Sequence, residues 1–364
     1  MSEIRRVGVV GAGTMGSGIA ALVAARSLPV VLLDVSRPRV PDGVGDLVET
    51  GTLDADLARL ADCDLVVEAI VEDVDVKRAL FARLETARAP QAIVATNTSS
   101  IPVAALARGR GEPFRAHFLG LHFFNPVRAM RLVELVAGPD THADAIARAE
   151  RFARDVLGKG VVRAKDAPGF IANRLGVFVT VETMRLMDAL GLTIEEVDAL
   201  TGPLLGRPAT ATFRTGDLVG LDVTARVARE LGAATGEDFA LPAWVERMVH
   251  EGRLGAKTGG GYYRKDGEAI LVIDPATMTY RARRPLSLPA LDAALGMSLA
   301  ERLRAAVALP DPHGEFVRRL LASIFAYTRR VAPQVAFDEA SIDRAMEWGR
   351  GWEMGPFAMM QRLG

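Results

Sequence analysis

The sequence predicts an α/β domain built on a parallel sheet, followed by a mainly α-helical and internally duplicated region. Three observations predict this. Short apolar runs alternate with helical patterns as far as Val162, a glycine motif joins the first run to the first helix, and two stretches beyond Phe170 repeat one succession of segments at a separation of 145 or 146 residues. Strands that alternate with helices favour a parallel sheet covered on both faces.

The 364 residues suffice for two or three domains. Hydrophobic residues make up 49% and charged residues 24%, the balance of a globular chain, and a formal net charge of −1 gives no basic surplus for nucleic acid or an anionic membrane. No apolar run approaches the length of a membrane span. The lone Cys63 excludes an internal disulfide, and with no charged-then-apolar leader the expected location is cytoplasmic. Lysine occurs only at positions 77, 159, 165, 257 and 265, which an arginine-biased genome explains but which also draws notice to any lysine in a loop.

Ile4 to Val10 is a β-branched run that empties into Gly11-Ala12-Gly13-Thr14-Met15-Gly16, and a helical pattern follows to Pro29. Strand, G-x-G-x-x-G and helix in that order form the phosphate cradle of a Rossmann-type domain. Gly11 permits the turn, Gly13 admits a pyrophosphate to the backbone, and Gly16 lets helix and strand close up behind Thr14 and Met15. The next strand, Val30 to Leu33, ends at Asp34, where a carboxylate accepts ribose hydroxyls and repels a 2′-phosphate, favouring NAD over NADP. Val35 to Ala61 carries Pro38, Pro41, Gly43, Gly45 and Gly51, and reads as loop with one short helix near Leu53 to Leu60.

Asp64 to Ile70 is a buried strand by its apolar run. Glu72 behind it either caps a helix or meets the cofactor, and Lys77 is either a solvated charge or a second cofactor contact. Ala92 to Thr96 is another strand, leading into Asn97-Thr98-Ser99-Ser100, which either cap the helix beyond Pro102 or hydrogen-bond a substrate oxygen. Phe118 to Phe124 and Met130 to Val136 complete the sheet around the turn Asn125-Pro126, with a final strand at Val161-Val162 after the helix Ala143 to Leu157.

His122 and Glu134, twelve positions apart, fall on successive strands and can face one another. A histidine on a strand is often only a satisfied core group. Beside a nicotinamide, a neutral imidazole oriented by a carboxylate has the properties of a base for a hydroxyl proton. Cys/His metal spacings, H-E-x-x-H and G-x-S-x-G are all missing, so no metal site is expected and zinc or serine-nucleophile chemistry lacks its parts.

Gly11 to Gly16, Val67-Glu68-Ala69-Ile70-Val71-Glu72, Asn97 to Ser100, His122-Phe123-Phe124-Asn125-Pro126, Leu132-Val133-Glu134 and Pro168-Gly169-Phe170-Ile171-Ala172-Asn173-Arg174 together resemble the successive motifs of the (S)-3-hydroxyacyl-CoA dehydrogenases. The resemblance implies NAD-dependent oxidation of an acyl-CoA substrate in fatty-acid β-oxidation. It implies His122 as base, Glu134 as its orienting partner, and Ser99 and Asn173 as hydrogen-bonding groups for the reacting oxygen. Asp34, Glu72, Lys77, Ser99, Asn125 and Lys257 are implied to contact NAD.

The expected division is 1–164 for the NAD-binding domain, 165–285 for a first helical domain with a small β-hairpin, and 286–364 for a duplicated helical domain. Phe170 to Asp222 and Phe316 to Gly364 are the two copies, each a long helix, a Thr-Ile-Glu-Glu-Val-Asp or Asp-Glu-Ala-Ser-Ile-Asp run, and a glycine turn. Such a duplication lets one copy cover the other within a chain, so monomer and homodimer are both open. Asn173, amid apolar neighbours, either bonds a backbone carbonyl of the preceding turn or reaches into an interdomain cleft. Leu254 to Tyr263 is a glycine-rich loop, read either as a flexible connection or as the seat of a cofactor lysine at Lys257; Asp266-Gly267 is a hairpin turn, and Pro285 to Ser298 a linker.

The helical half resembles the dehydrogenase portion of bacterial proteins fused to an enoyl-CoA hydratase, which implies that this chain is either separate from or linked to such a partner. Members of the family carry a longer helical hairpin after the ribose-binding acid, part of which grips coenzyme A. Only 30 positions separate Asp34 from Asp64 here. Either Arg37, Arg39 and nearby backbone hold the CoA phosphates, or the substrate is a smaller free 3-hydroxy acid; a nucleotide-binding protein with an eroded CoA site is the remaining alternative.

Overall fold

The computed structural model describes residues 3–284, 286 and 293–363. Pro285 and positions 287–292 of the expected linker, and with them the expected 285/286 boundary, lie outside the described residues. Two compact units are formed: Met1–Ile171 with Gln334–Gly349, and Ala172–Pro333 with Arg350–Gly364. The described residues beyond 286 are divided between these two units.

In the first unit, eight strands among the described residues form one sheet: β1 (Val7–Val10), β2 (Val30–Asp34), β3 (Val48–Thr52), β4 (Leu65–Glu68), β5 (Ile93–Thr96), β6 (Phe118–Phe123), β7 (Leu132–Ala137) and β8 (Gly160–Ala164). Their order is β3-β2-β1-β4-β5-β6-β7-β8. Every pairing is parallel except β6 with β7. The parallel strands are continuous runs of Val, Leu and Ile buried on both faces, as helix-covered sheets require. Because β1 lies between β2 and β4, the chain reverses its winding direction there, and ligands of such sheets bind at the carboxyl ends around that point.

Strand β3 is absent from the sequence-based expectation, which has loop at Val48–Thr52. Its register with β2, Val30↔Val48 through Asp34↔Thr52, is parallel and in phase. Only Val48 and Gly51 are buried, so the run has no continuous apolar signal, and backbone pairing to an open edge makes the strand. The expected short helix is present as Leu53–Asp56, continuing as a 3₁₀ turn over Leu57–Asp62. Gln334–Gly349 also packs into this unit: Ala336 bridges Ala164, and the Trp348 indole lies where a Cβ at Gly160 would stand, 2.4 Å from it, with the Arg131 guanidinium 4.3 Å from its ring centroid.

The second unit is mainly helical. The long helix Ala172–Leu190 is followed by Ile194–Thr201, which a Thr193/Glu196 capping box starts, and by Phe213–Val219. In sequence the succession recurs as His313–Val335, Glu339–Arg350 and Pro356–Leu363, of which residues 334–349 belong to the first unit. The two long helices meet through stacked rings of Phe178 and Tyr327, 3.8 Å apart, and a hydrogen bond from Arg174 Nε to the Tyr327 hydroxyl. Strands β9 (Tyr263–Asp266), β10 (Ala269–Asp274) and β11 (Thr279–Ala282) form an antiparallel sheet, with Gly267 at φ +58° in the expected turn. No described helix is long and apolar enough to cross a membrane.

Candidate active site

Gly11 adopts φ +98°, and a Cβ there would stand 2.5 Å from the Ala69 carbonyl oxygen. A Cβ on Gly16 would stand 1.7 Å from the Gly11 oxygen, so helix Thr14–Ala24 can approach β1 only because residue 16 has no side chain. Gly13 has no atom within 4 Å of its missing Cβ and precedes a helix start that no side chain caps. Bare backbone, free N–H groups and the positive helix end together suit a diphosphate. Asp34 Oδ2 accepts from Ala12 N at 2.6 Å and Oδ1 from Val35 N at 2.6 Å, which fixes the carboxylate against the cradle while leaving lone pairs for ribose hydroxyls. The donor set therefore fits a dinucleotide.

The loop after β4 is held by a buried charge cluster. Lys77, with 1% side-chain exposure, donates to Glu68 Oε1 at 2.5 Å and lies 3.3 Å from Glu72 Oε2. Glu68 also accepts from Ile70 N at 2.7 Å and from the Thr96 hydroxyl at 2.6 Å. Glu72 Oε1 faces the loop after β5 and accepts from Thr98 Oγ1 at 2.6 Å, Ser99 N at 2.8 Å and Ser100 N at 3.1 Å, with Ser99 Oγ at 3.4 Å. Burial alone raises the Glu72 pKa, but Lys77 and these donors outweigh it and hold the carboxyl below its ordinary value.

Three of the alternative readings fall here. Lys77 is not a solvated charge but the buried link between two carboxylates. Glu72 does not cap helix Val74–Ala87; Asp73 does, accepting from Asp75 N and Val76 N. Asn97 to Ser100 do not cap helix Val103–Ala107 either, whose first N–H groups go to the distant Asp166 carboxylate at 2.6 and 2.8 Å. Glu68 is the residue that sequence reasoning passed over, although a carboxylate closing the apolar run Leu65-Val66-Val67 was a signal.

His122 and Glu134 are direct cross-strand partners in the β6/β7 register. Nδ1 of His122 lies 2.7 Å from Glu134 Oε2, and Glu134 Oε1 accepts from Ile171 N at 3.0 Å. Both are buried, at 4% and 0% exposure. A carboxylate oxygen can only accept, so in a neutral ring Nδ1 carries the hydrogen and Nε2 the lone pair. Phe124 and Phe170 flank the ring at centroid distances of 4.4 and 5.7 Å. Asn97 ties this strand to the neighbouring loop, its Oδ1 accepting from Phe123 N at 2.8 Å. Asn125 is exposed on the turn beyond β6, before a cis bond to Pro126.

The first unit thus brings together Gly11 to Gly16, Asp34, Glu72, Ser99, His122, Asn125 and Glu134 at or beyond strand ends. Asn173 and Lys257 belong to the second unit. Asn173 lies in the first turn of helix Ala172–Leu190, where its Oδ1 accepts from Arg350 Nη2 at 3.3 Å. Lys257 donates to both Asp222 carboxylate oxygens, at 2.5 and 2.7 Å. The surrounding glycine loop is not a flexible connection: Asp217 accepts from Tyr262 N and Tyr263 N, and Cβ atoms at Gly255 and Gly261 would meet Asp217 at 2.3 and 2.0 Å. Among the described residues no group of three or more His, Cys, Asp or Glu is arranged to hold a metal ion.

The family described as 3-hydroxyacyl-CoA dehydrogenase, NAD binding domain, matches residues 6–48 and 39–167, and its C-terminal domain counterpart matches 169–265. A probable 3-hydroxyacyl-CoA dehydrogenase of Bacillus subtilis is 37% identical over 404 residues, covering 100% of this chain and 51% of its own length. A putative fatty acid oxidation complex trifunctional enzyme of Rickettsia felis is 31% identical over 393 residues, covering 99% of this chain and 53% of its own. The chain thus spans about half the length of these two curated relatives. The crystal structure of (S)-3-hydroxybutyryl-CoA dehydrogenase from Ralstonia eutropha superposes with a TM-score of 0.64 at 31% identity, covering 71% of this chain and 98% of that one. The NAD-binding match breaks at 39–48, inside the short segment after Asp34, and the Bacillus alignment of 404 positions against 364 residues leaves at least 40 positions of that relative without a counterpart. With an open glycine turn, a carboxylate ending β2 and a paired histidine on one sheet edge, and family matches spanning both units, this chain is a member of the 3-hydroxyacyl-CoA dehydrogenase family.

Proposed function

We propose that the chain oxidises an (S)-3-hydroxyacyl-CoA to the 3-oxoacyl-CoA with NAD, His122 serving as general base and Glu134 as its orienting partner. The observation that carries this reading is the 2.7 Å His122–Glu134 bond, buried at the same sheet edge as the open Gly13 backbone. The oxidised nicotinamide supplies a hydride acceptor when bound.

Gly11 to Gly16 hold the diphosphate and Asp34 the ribose. Val35 and Val71, exposed apolar residues beyond β2 and β4, flank the adenine. Glu72 orients the Ser99 loop toward the nicotinamide side, and Lys77 acts on the cofactor through Glu72, since its ammonium is closed off. Asn125 and Lys257 contact NAD as well. Nε2 of His122 takes the hydroxyl proton as C3 loses hydride, and Glu134 stabilises the imidazolium that forms. Ser99 and Asn173 hydrogen-bond the reacting oxygen.

NADH oxidation measured with acetoacetyl-CoA, with longer 3-oxoacyl-CoA esters and with free 3-oxo acids tests the reading. Turnover of the CoA esters is expected. Turnover of the free acids alone would overturn the substrate class in favour of a small hydroxy-acid dehydrogenase, and NADH binding without turnover of any of them would overturn the activity. Linkage to an enoyl-CoA hydratase is proposed from the relatives that are twice this length.

A further inference from the structure

We infer that Arg350, in the second helical copy, is a positioning residue that sets the direction of the Asn173 carboxamide. Arg350 donates through Nη2 to Asn173 Oδ1 at 3.3 Å and through Nε to the Ala172 carbonyl at 3.2 Å. One edge of the planar guanidinium therefore spans the first turn of helix Ala172–Leu190, a two-point contact that a lysine ammonium cannot reproduce. Room for it is made by a missing side chain. A Cβ on Gly176 would stand 2.2 Å from both Arg350 Cζ and Nη2 and 2.4 Å from Nε, so the guanidinium occupies the space that any other residue at 176 would fill.

The chemical consequence concerns the amide's two ends. Guanidinium groups only donate, so the end of Asn173 facing Arg350 is its carbonyl oxygen. The NH₂ end is then turned away from Arg350, and Asn173 acts as a donor rather than an acceptor. A donor is what a hydroxyl or carbonyl oxygen gaining negative character requires. Arg350 lies 177 residues further along the chain, as the last residue of helix Glu339–Arg350 in the second copy, so the duplication supplies the residue that gives Asn173 its polarity.

The inference rests on the proposed role of Asn173 at the reacting oxygen, and two measurements separate the two claims. The first is a double-mutant cycle on acetoacetyl-CoA reduction with Arg350→Met, Asn173→Ala and the pair. If Arg350 acts through Asn173, Arg350→Met lowers kcat about 10-fold, the scale of one hydrogen bond, with NADH affinity unchanged, and the double variant is no slower than Asn173→Ala alone. Additive losses would overturn the inference, because they mean that Arg350 acts elsewhere. Gly176→Ala, which keeps the charge but displaces the guanidinium, is expected to match Arg350→Met in kcat, and wild-type kcat in that variant would also overturn it.

The second measurement needs no turnover. The side-chain NH₂ signals of Asn173, identified by their loss in Asn173→Asp, are recorded by ¹⁵N NMR in wild type and in Arg350→Lys. A shifted or broadened pair is expected in the variant, and an unmoved pair would overturn the positioning role. If the pair shifts while Asn173→Ala leaves kcat intact, the positioning stands and the proposed catalytic role of Asn173 falls.

Discussion

His122 and Glu134 are joined twice, once by the backbone register of β6 with β7 and once by the 2.7 Å bond from ring to carboxylate. The side chains meet because the strands that carry them are antiparallel neighbours in an otherwise parallel stretch of sheet. His122→Gln is expected to lower kcat by about 10²–10⁴-fold, the usual contribution of a general base, while NADH binding measured by fluorescence is retained. Glu134→Gln should lose less and displace the pH–rate profile, because the imidazole keeps its position but loses the carboxylate that stabilises its charged form. An unaltered profile in Glu134→Gln would separate the dyad from the chemistry.

Removing Lys77 should be worse for the fold than removing either acid. Lys77→Met leaves Glu68 and Glu72 facing each other in a buried site, and losing one partner of such a cluster costs about 3–5 kcal/mol. Urea unfolding measures this, and Glu68→Gln combined with Lys77→Met should recover part of the loss.

Two alanine substitutions in one motif should fail differently. Gly16→Ala drives a methyl into the Gly11 carbonyl and is expected to cost about 2 kcal/mol or more, the scale of overpacking. Gly13→Ala meets no protein atom, so its melting temperature should stay near wild type while NADH affinity falls. Equal melting temperatures for the two variants would contradict the packing described for residue 16.

The second unit should lose stability as pH rises through about 6. Burial lifts the carboxyls of Asp198 and Asp217 to about 6, only partly offset by the backbone N–H groups and, for Asp198, the Tyr263 hydroxyl that bond them. Between about pH 4 and 6 the folded chain keeps protons that the unfolded chain releases, so this contribution is present at low pH and lost above about 6, at a scale of about 1–2 kcal/mol. Thermal melts at pH 5 and 7.5 check it: Asp217→Asn should flatten the difference between the two, whatever its effect on the melting temperature itself.

Much of the first unit was legible because its signals are local. Gly11 to Gly16 followed an apolar run, Asp34 ended the next, and His122 and Glu134 fell on runs joined by a short turn. What was missed depends on partners distant in sequence. The edge pairing that makes Val48–Thr52 a strand belongs to β2. Lys77 reads as a surface charge or a cofactor contact, and neither reading holds the buried bond to Glu68 that the fold makes. The glycines at 255 and 261 look flexible until Asp217 is seen to occupy the space their side chains would take. Asp166, which caps a helix 63 residues earlier, leaves no trace in that helix's own sequence.

Strand β3 has a consequence for how such a protein diversifies. It closes one end of the sheet order, with four strands between it and β6, which carries His122. The segment between Asp34 and Asp64 can thus be cut short, lengthened or exchanged without disturbing the register that aligns His122 with Glu134. Under the proposed function, carrier recognition and bond chemistry are then separate modules on this scaffold. A library confined to residues 35–47 would search for new acyl carriers while the catalytic edge of the sheet stays as it is.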